Sequence, residues 1–405
     1  MTLAFQISQI LPIHPFPARM APSIVWECLH DNSQPLRVLD PMAGSGTTLV
    51  SARAKGHHAL GCDTDPLALL IARAWCCDVY PDKVSHRGKL VLDRARRLAE
   101  RLSPEDSYPA HADGETREFI SFWFDDENRI QLTALSVCIS RVRDSDERTL
   151  LWTAFSRLIV TKKSGVSLAM DVSHSRPHRK YKKAPVGPFD KFLQAVDHIN
   201  RKAPFRNGNT RAAPALVGSG DARALPFRSK SVDMVITSPP YLNAIDYIRA
   251  HKLSLVWMGY CIKSLRSIRS GSIGSERSLC VDETDEVMTT ARRMGDIEKL
   301  DRRHRGMIVR YLDDMRRVFS ECRRVLRDDG RAVLVIGDSS IRGVYLRNSQ
   351  ALIHLAEKAG FTLCSKTVRI IPESKRYLPP PGSEKSGEKM KNRMREETIL
   401  GFVVA

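Results

Sequence analysis

The chain has 405 residues, a formal net charge of +18 and a sequence pI near 9.7, with 42% apolar residues. Such a length suits two or three domains, or one large domain with insertions, and the positive surplus favours polyanions, nucleic acid before acidic membrane surface, over a merely basic coat. No leader of basic then apolar residues opens the chain and no apolar run is long enough for a bilayer. Nine scattered cysteines form no Cys-x-x-Cys pair, so a cytoplasmic chain without structural zinc is expected.

In chain order, His14 to Met20 is punctuated by prolines, and a helix is predicted to run on to Leu29. Leu36–Asp40 reads as a short strand that runs into Pro41-Met-Ala-Gly-Ser-Gly-Thr-Thr48 and a helix to about Ala54. A second strand, Ala59–Asp63, is followed by a helix opening at Asp65-Pro66, where proline suits the first turn. This β-α-β-α order predicts a parallel, doubly wound sheet. From 81 to 213 the pattern turns helical (Lys89–Leu102, Arg129–Val142, Glu147–Val160), and 184–213 looks poorly ordered in places. A basic loop at 176–183 sits among these helices. The stretch 81–213 therefore reads as an insertion between a first half, 1–80, and a second half, 214–405.

The α/β pattern resumes near Ala213 and reaches the apolar run Val232, Met234, Val235, Ile236, which stops at Ser238-Pro-Pro-Tyr241. A helix is predicted over Asp246–Tyr260, with Leu253, Val256 and Trp257 on one face. Residues 262–303 show no clear periodicity and read as a flexible excursion. A helix at Met307–Leu326, a strand at Arg331–Gly337, a helix at Ser349–Ala359 and a strand pair at Phe361–Ile370 and Thr398–Val404 close the chain. The strands number seven, near 38, 61, 215, 234, 334, 366 and 401.

Two stretches carry chemistry. The loop Asp40 to Gly46 joins a strand to a helix, where glycines allow a tight turn and the helix N-terminus offers amide protons. Alone it reads equally well as a plain turn. Asp63, about twenty residues on, ends the next strand where an acid can accept both ribose hydroxyls of a nucleoside cofactor; alone it could equally cap a helix. In Ser238-Pro239-Pro240-Tyr241, two prolines make the exit from the strand stiff. Ser238 Oγ and the Pro239 carbonyl can accept hydrogen bonds from an exocyclic base amine, freeing a lone pair otherwise conjugated with the ring. Tyr241 can stack on that base, which must be flipped out of a duplex to reach it. An isolated Pro-Pro-Tyr would more simply be a turn ending a buried strand.

Together these residues resemble the amino-group DNA methyltransferases that use S-adenosylmethionine, over about 1–78 and 213–405. Asp40 to Thr48 is similar to that family's cofactor loop, with Met42 where phenylalanine or cysteine is more usual. Asp63 matches its ribose-binding acid, Gly220-Asp221 its adenine-side segment, and His14 to Arg19 its N-terminal motif. The resemblance implies a Rossmann-like seven-stranded sheet, mostly parallel with an antiparallel closing strand, carrying a largely helical insertion. It also implies S-adenosyl-L-methionine contacts from Phe16, Pro17, Asp40, Pro41, Ala43, Gly44, Ser45, Gly46, Thr47, Asp63, Thr64, Asp221 and Ala222. Serine at the head of Ser238–Tyr241 is typical in that family of methylation at cytosine N4, whereas aspartate or asparagine goes with adenine. Adenine N6, then RNA, then an inactive DNA-binding regulator are the alternatives. Ring-carbon methylation would need a cysteine, usually after proline, and the chain has no Pro-Cys pair. The expected partner is DNA, with a cognate restriction endonuclease alongside. Phosphate contacts are expected first from Arg176, Arg179, Lys180, Lys182 and Lys183, and second from 262–305; solvated surface is the plainer reading of both. Asn243, Asp246 and Tyr247 are candidates to line the base pocket, although a helix cap at Asp246 is as good a reading.

Overall fold

The computed structural model describes residues 10–30, 34–162, 164–202, 213–242, 246–274, 285–372 and 396–405. The short apolar runs bounded by glycine, proline and aspartate become strands of a single sheet. They are β1 (Arg37–Asp40), β2 (His58–Asp63), β3 (Ala215–Ser219), β4 (Val232–Thr237), β5 (Leu326–Ile336), β6 (Phe361–Ile370) and β7 (Glu396–Val404). Their order is β6-β7-β5-β4-β1-β2-β3. All neighbours are parallel except β7, which lies antiparallel between β5 and β6. The chain winds outward from β1 through β2 to β3, then returns to lay β4 on the other side of β1. Leu39 is thus in register with Leu60 on one side and Val235 on the other. The carboxyl ends of β1 and β4 form the switch point, where open α/β sheets bind ligands.

Helices cover both faces. On one lie α1 (Pro22–Cys28), α2 (Thr47–Ala54) and α3 (Pro66–Cys76), overlaid by α4 (Pro81–Ala99), α5 (Gly114–Trp123), α6 (Asp126–Ser140), α7 (Ser145–Ile159) and α8 (Pro188–Lys202). With them go α9 (Tyr247–Leu255) and α10 (Ile262–Gly271); on the other face lie α11 (Asp285–Met294), α12 (Arg302–Val325) and α13 (Asn348–Lys358). The helices of 81–202 share one apolar core with α3, α9 and α10. Trp257, buried as its spacing predicts, meets Phe124 edge-on at 5.3 Å and Phe155 at 6.4 Å. This cluster joins the helical layer to the segment that follows β4.

Four sequence expectations are corrected here. The stretch from 184 carries α8, whose Phe192, Val196 and Ile199 are buried at helical spacing; the surrounding Pro, Gly and Asn masked that period. The stretch 262–303 carries α10 and α11, with Val287, Ala291 and Met294 buried on one side of α11. Helix α5, also unanticipated, starts where Asp113 accepts from Thr116 N, and α4 begins at Pro81, eight residues before the expected start. Among the described residues no helix is long and apolar enough to cross a membrane. Asn243 lies outside the described residues.

Candidate active site

Asp40 ends β1 and is buried. Its Oδ1 accepts from Thr237 Oγ1, at the end of β4, at 2.6 Å and from Met42 N at 3.2 Å. Thr48 Oγ1 donates to Ile236 O at 3.2 Å, so the glycine loop and the catalytic strand are tied at two points. Burial pushes the Asp40 carboxyl up to about 6, with the Thr237 hydrogen bond opposing it. Between these ties the loop turns through Gly44 (φ +51°) and Gly46 (φ +88°). A Cβ at Gly46 would sit 2.9 Å from the Ala72 Cα, so only glycine fits against α3. Helix α2 starts at Thr47 with no side-chain cap, which leaves first-turn amides open to a ligand.

Asp63 closes β2 beside this loop. Its two oxygens accept from Gly44 N at 2.8 Å and Asp65 N at 2.9 Å. Burial, and then the neighbouring Asp65 carboxylate, push its carboxyl up to about 7. Phe16 covers the loop, with its ring edge 3.5 Å from where a Cβ on Gly44 would lie, and it stacks on Tyr247 at 5.2 Å. The N-terminal motif is strapped to α7: His14 Nε2 meets Ser156 Oγ at 2.9 Å, and Arg157 donates to Ile13 O at 2.8 Å. Burial, reinforced by Arg157, holds the His14 imidazole neutral with its pKa lowered to about 3.

On the far side of Asp63, Arg223 holds Asp221 through Nε and Nη2 (3.0 and 2.7 Å), donates to Asp314 at 2.7 Å and reaches Gly271 O. Burial would raise the Asp221 carboxyl, but the Arg223 bonds keep it below its ordinary value. The Ser238–Tyr241 loop leaves β4 next to Asp40. Ser238 Oγ donates to Val335 O on β5 at 3.1 Å, which commits the hydroxyl proton; the Tyr241 phenol takes one of its lone pairs and the other is left to accept. Among the described residues the Pro239 carbonyl accepts no hydrogen bond. Burial raises the Tyr241 phenol, which also hydrogen-bonds with Ser238.

A cleft of about 1290 Å³ runs over all of this. It is lined by Phe16, Asp40, Pro41, Ala43, Gly44, Ser45, Thr47, Asp63 and Thr64, by Asp221 and Ala222, and by Ser238, Pro239, Pro240 and Tyr241. Residues from three distant stretches of sequence thus meet in one cavity. Pro17 and Gly46 are buried beside it rather than lining it; Gly46 serves as the N-cap of α2. Of the basic loop only Arg176 lines the cleft. Arg179 lies over the exposed Phe122 ring at 5.2 Å, Lys183 pairs with Glu127 at 2.9 Å, Lys180 reaches Met170 Sδ, and Lys182 is exposed. Asp246 caps α9 through Arg249 N, as the capping reading has it, and both Asp246 and Tyr247 line the cleft.

Sequence reasoning missed Arg223, Tyr311 and the pair Asp65–His251, in which Asp65 Oδ2 lies 2.5 Å from the imidazole Nδ1. Arg223 stands two residues after Asp221, a spacing that suits a bidentate pair. His251 and Tyr311, on amphipathic helices 186 residues and 70 residues from Asp65 and Tyr241, gave no signal.

A family profile described as DNA methylase, of the N6 and N4 type, matches residues 232–394, a span that begins at the catalytic strand. The Type II methyltransferase M.MvaI of Kocuria varians is 22% identical over 376 residues, covering 85% of this chain and 80% of that protein. The Type II methyltransferase M.AvaI of Nostoc sp. is 23% identical over 385 residues, covering 84% of this chain and 75% of its own length. Among solved structures, a Thermus thermophilus protein complexed with S-adenosyl-L-methionine is 20% identical over 46% of this chain and 51% of that one. Its TM-score of 0.23 is too low to add weight. The glycine loop, the acid beside it, the Ser-Pro-Pro-Tyr exit and these relatives point the same way: over 232–394 by profile, and over most of its length by relatives, the chain is similar to the S-adenosylmethionine-dependent amino-group DNA methyltransferases of the N6/N4 type.

Proposed function

We propose that this protein methylates N4 of a flipped-out cytosine at a specific DNA sequence. The observation that carries the reading is the commitment of the Ser238 proton to Val335 O, which turns the hydroxyl oxygen into an acceptor. With the unengaged Pro239 carbonyl it offers two acceptors for the two protons of an exocyclic amine. Drawing on both protons pulls the nitrogen towards a tetrahedral shape and frees its lone pair. Tyr241 then holds the ring plane by stacking, worth about 1–3 kcal/mol, and proximity and alignment supply much of the rate.

The residues present fit the cofactor. Asp63 keeps acceptor capacity for a ribose diol beyond its two backbone bonds, and the uncapped start of α2 suits a carboxylate. Ala222 and Asp221 wall the side expected to take the adenine, and Phe16 covers the methionine side. Bound there, S-adenosylmethionine supplies an electrophilic methyl group. The chain's own residues orient the amine, engage its protons and keep the base in plane. The relatives are Type II methyltransferases, and we propose that this chain likewise protects DNA against a cognate restriction endonuclease. Sequencing modified bases in DNA from cells expressing the protein tests the reading: N4-methylcytosine at one recurring site is expected, whereas N6-methyladenine would overturn the cytosine assignment.

A further inference from the structure

Helices α9 and α10 meet at a corner that gathers positive charge beyond what the fold uses. Arg249 from α9 and Arg266 and Arg269 from α10 line the cleft, as does Arg176, which follows a turn at 172–174 that lies against α9. Lys252, one helical turn beyond Arg249, lies with its ammonium 5.0 Å from the centre of the Phe119 ring. Two carboxylates pair with this group among the described residues. Asp246 Oδ2 takes Arg269 at 2.7 Å and Arg249 at 3.6 Å, and Glu115 takes Arg266.

Three features separate this patch from an ordinary solvated face. The arginines remain half-exposed, at 55%, 50% and 47% for Arg249, Arg266 and Arg269, although each is positioned by a carboxylate. A guanidinium has five donors, so one such pairing leaves a fork of N–H groups free. Second, the charges crowd one another. The Lys252 ammonium is pushed down first by burial, with Asp246 opposing and Arg269, Arg249 and Arg266 adding to the fall. Exposed ion pairs add little to stability, so the crowding has no return within the fold itself. Third, Asp246 also caps α9 by accepting from Arg249 N at 3.2 Å, five residues beyond Tyr241. The arginines are therefore held in register with the exit of the catalytic loop.

We propose that Arg249, Arg266 and Arg269, with Lys252 and Arg176 beside them, form a phosphate clamp that grips the backbone of the target strand at the mouth of the cleft. This inference rests on the DNA methyltransferase reading and deepens it. The clamp fixes the strand where the extruded base meets Ser238–Tyr241. The side chains of Arg179, Lys180, Lys182 and Lys183 do not line the cleft, and their contribution is the smaller one.

The test compares three triple variants of the full chain on a mixed-sequence DNA duplex, measuring affinity against salt. Separately, methyl transfer to genomic DNA and S-adenosylmethionine binding by calorimetry are followed. Arg249→Gln/Arg266→Gln/Arg269→Gln is expected to lower the slope of log affinity against log salt by about 2–3, close to 0.9 per lost phosphate contact. Its KM for DNA should rise at least tenfold, with kcat falling far less and cofactor affinity retained. The corresponding lysine triple at the three positions should keep the wild-type slope, which separates lost charge from lost fold. Lys180→Gln/Lys182→Gln/Lys183→Gln should change the slope by less than one. An unchanged slope in the arginine variant, or a larger change in the lysine-loop variant, overturns the clamp. If wild type methylates DNA while the arginine variant keeps its slope, the clamp fails and the enzyme reading stands. If wild type transfers no methyl group but the slope falls as expected, the enzyme reading fails and the clamp stands.

Discussion

The two halves of the cleft are built differently. On the β1–β2 side nearly every polar group already has a partner: Asp40 with Thr237, Asp63 with two amides, Asp221 with Arg223, His14 with Ser156. That half is preorganised, with glycines packed where no side chain fits. On the β4 side the groups keep capacity in reserve. Ser238 has spent its proton and one lone pair, the Pro239 carbonyl has no partner among the described residues, and the α9–α10 arginines have spare donors. The difference teaches which ligand each half expects. On the proposed function, a small cofactor of fixed shape would meet a finished mould, and a base extruded from its duplex would meet groups free to form bonds on arrival.

Mutations should respect that division. The largest effect is expected from Ser238→Ala, where losing one preorganised hydrogen-bonding group typically costs about 10²–10³ in kcat. Tyr241→Ala should be comparably severe, and both variants should bind S-adenosylmethionine normally in calorimetry. Normal turnover in both would break the assignment of the β4 side. Asp63→Ala should weaken the cofactor about 10–100-fold, as for a lost charge-assisted hydrogen bond, with DNA affinity measured by fluorescence anisotropy unchanged. Weakened DNA binding in that variant would show that the halves are not separable.

Gly46→Ala tests the mould itself. A left-handed conformation costs a non-glycine residue roughly 1–2 kcal/mol, and the contact with the Ala72 backbone adds to it. A lower melting temperature with poorer cofactor binding is expected; an unchanged melting curve would mean that the loop yields.

The smallest effect is one of pH. The Asp63 carboxyl is raised to about 7 by burial, so the unfolded chain releases this proton near 4 and the folded chain only near 7. Between those values the folded state binds more protons, and stability falls as pH rises. Cofactor affinity should move the opposite way, because ribose hydroxyls donate to the ionised acid: about a tenfold gain from pH 6 to pH 8. Asp63→Asn should remove that dependence. A flat profile in the wild type would leave Asp63 ionised throughout.

Much of the fold was legible locally. The central strands β1, β2 and β4 are short apolar runs bounded by breakers, and the glycine loop and Ser-Pro-Pro-Tyr exit declare their backbone needs in their own composition. Helices α8, α10 and α11 were obscured because glycine, serine and arginine nearby diluted a period that packing against a neighbour nonetheless stabilises. A propensity is a property of neighbours in sequence. Burial of Val287 or Phe192 is a property of neighbours in space.

The same distinction governs the site. The sequence by itself determined where the backbone is constrained, since a tight turn needs Gly44 and Gly46 and a stiff exit needs Pro239 and Pro240 wherever they lie. Only the tertiary structure decided what each group has left to give. Parallel pairing of β1 with β4 brings Thr237 to Asp40, and pairing of β4 with β5 hands the Ser238 proton to Val335. The crossing of α9 and α10 gathers the arginines around Asp246. Hydrogen-bond capacity and charge crowding depend on distances of a few ångströms between residues far apart in the chain, and those distances are set by the packing of the sheet and its helices.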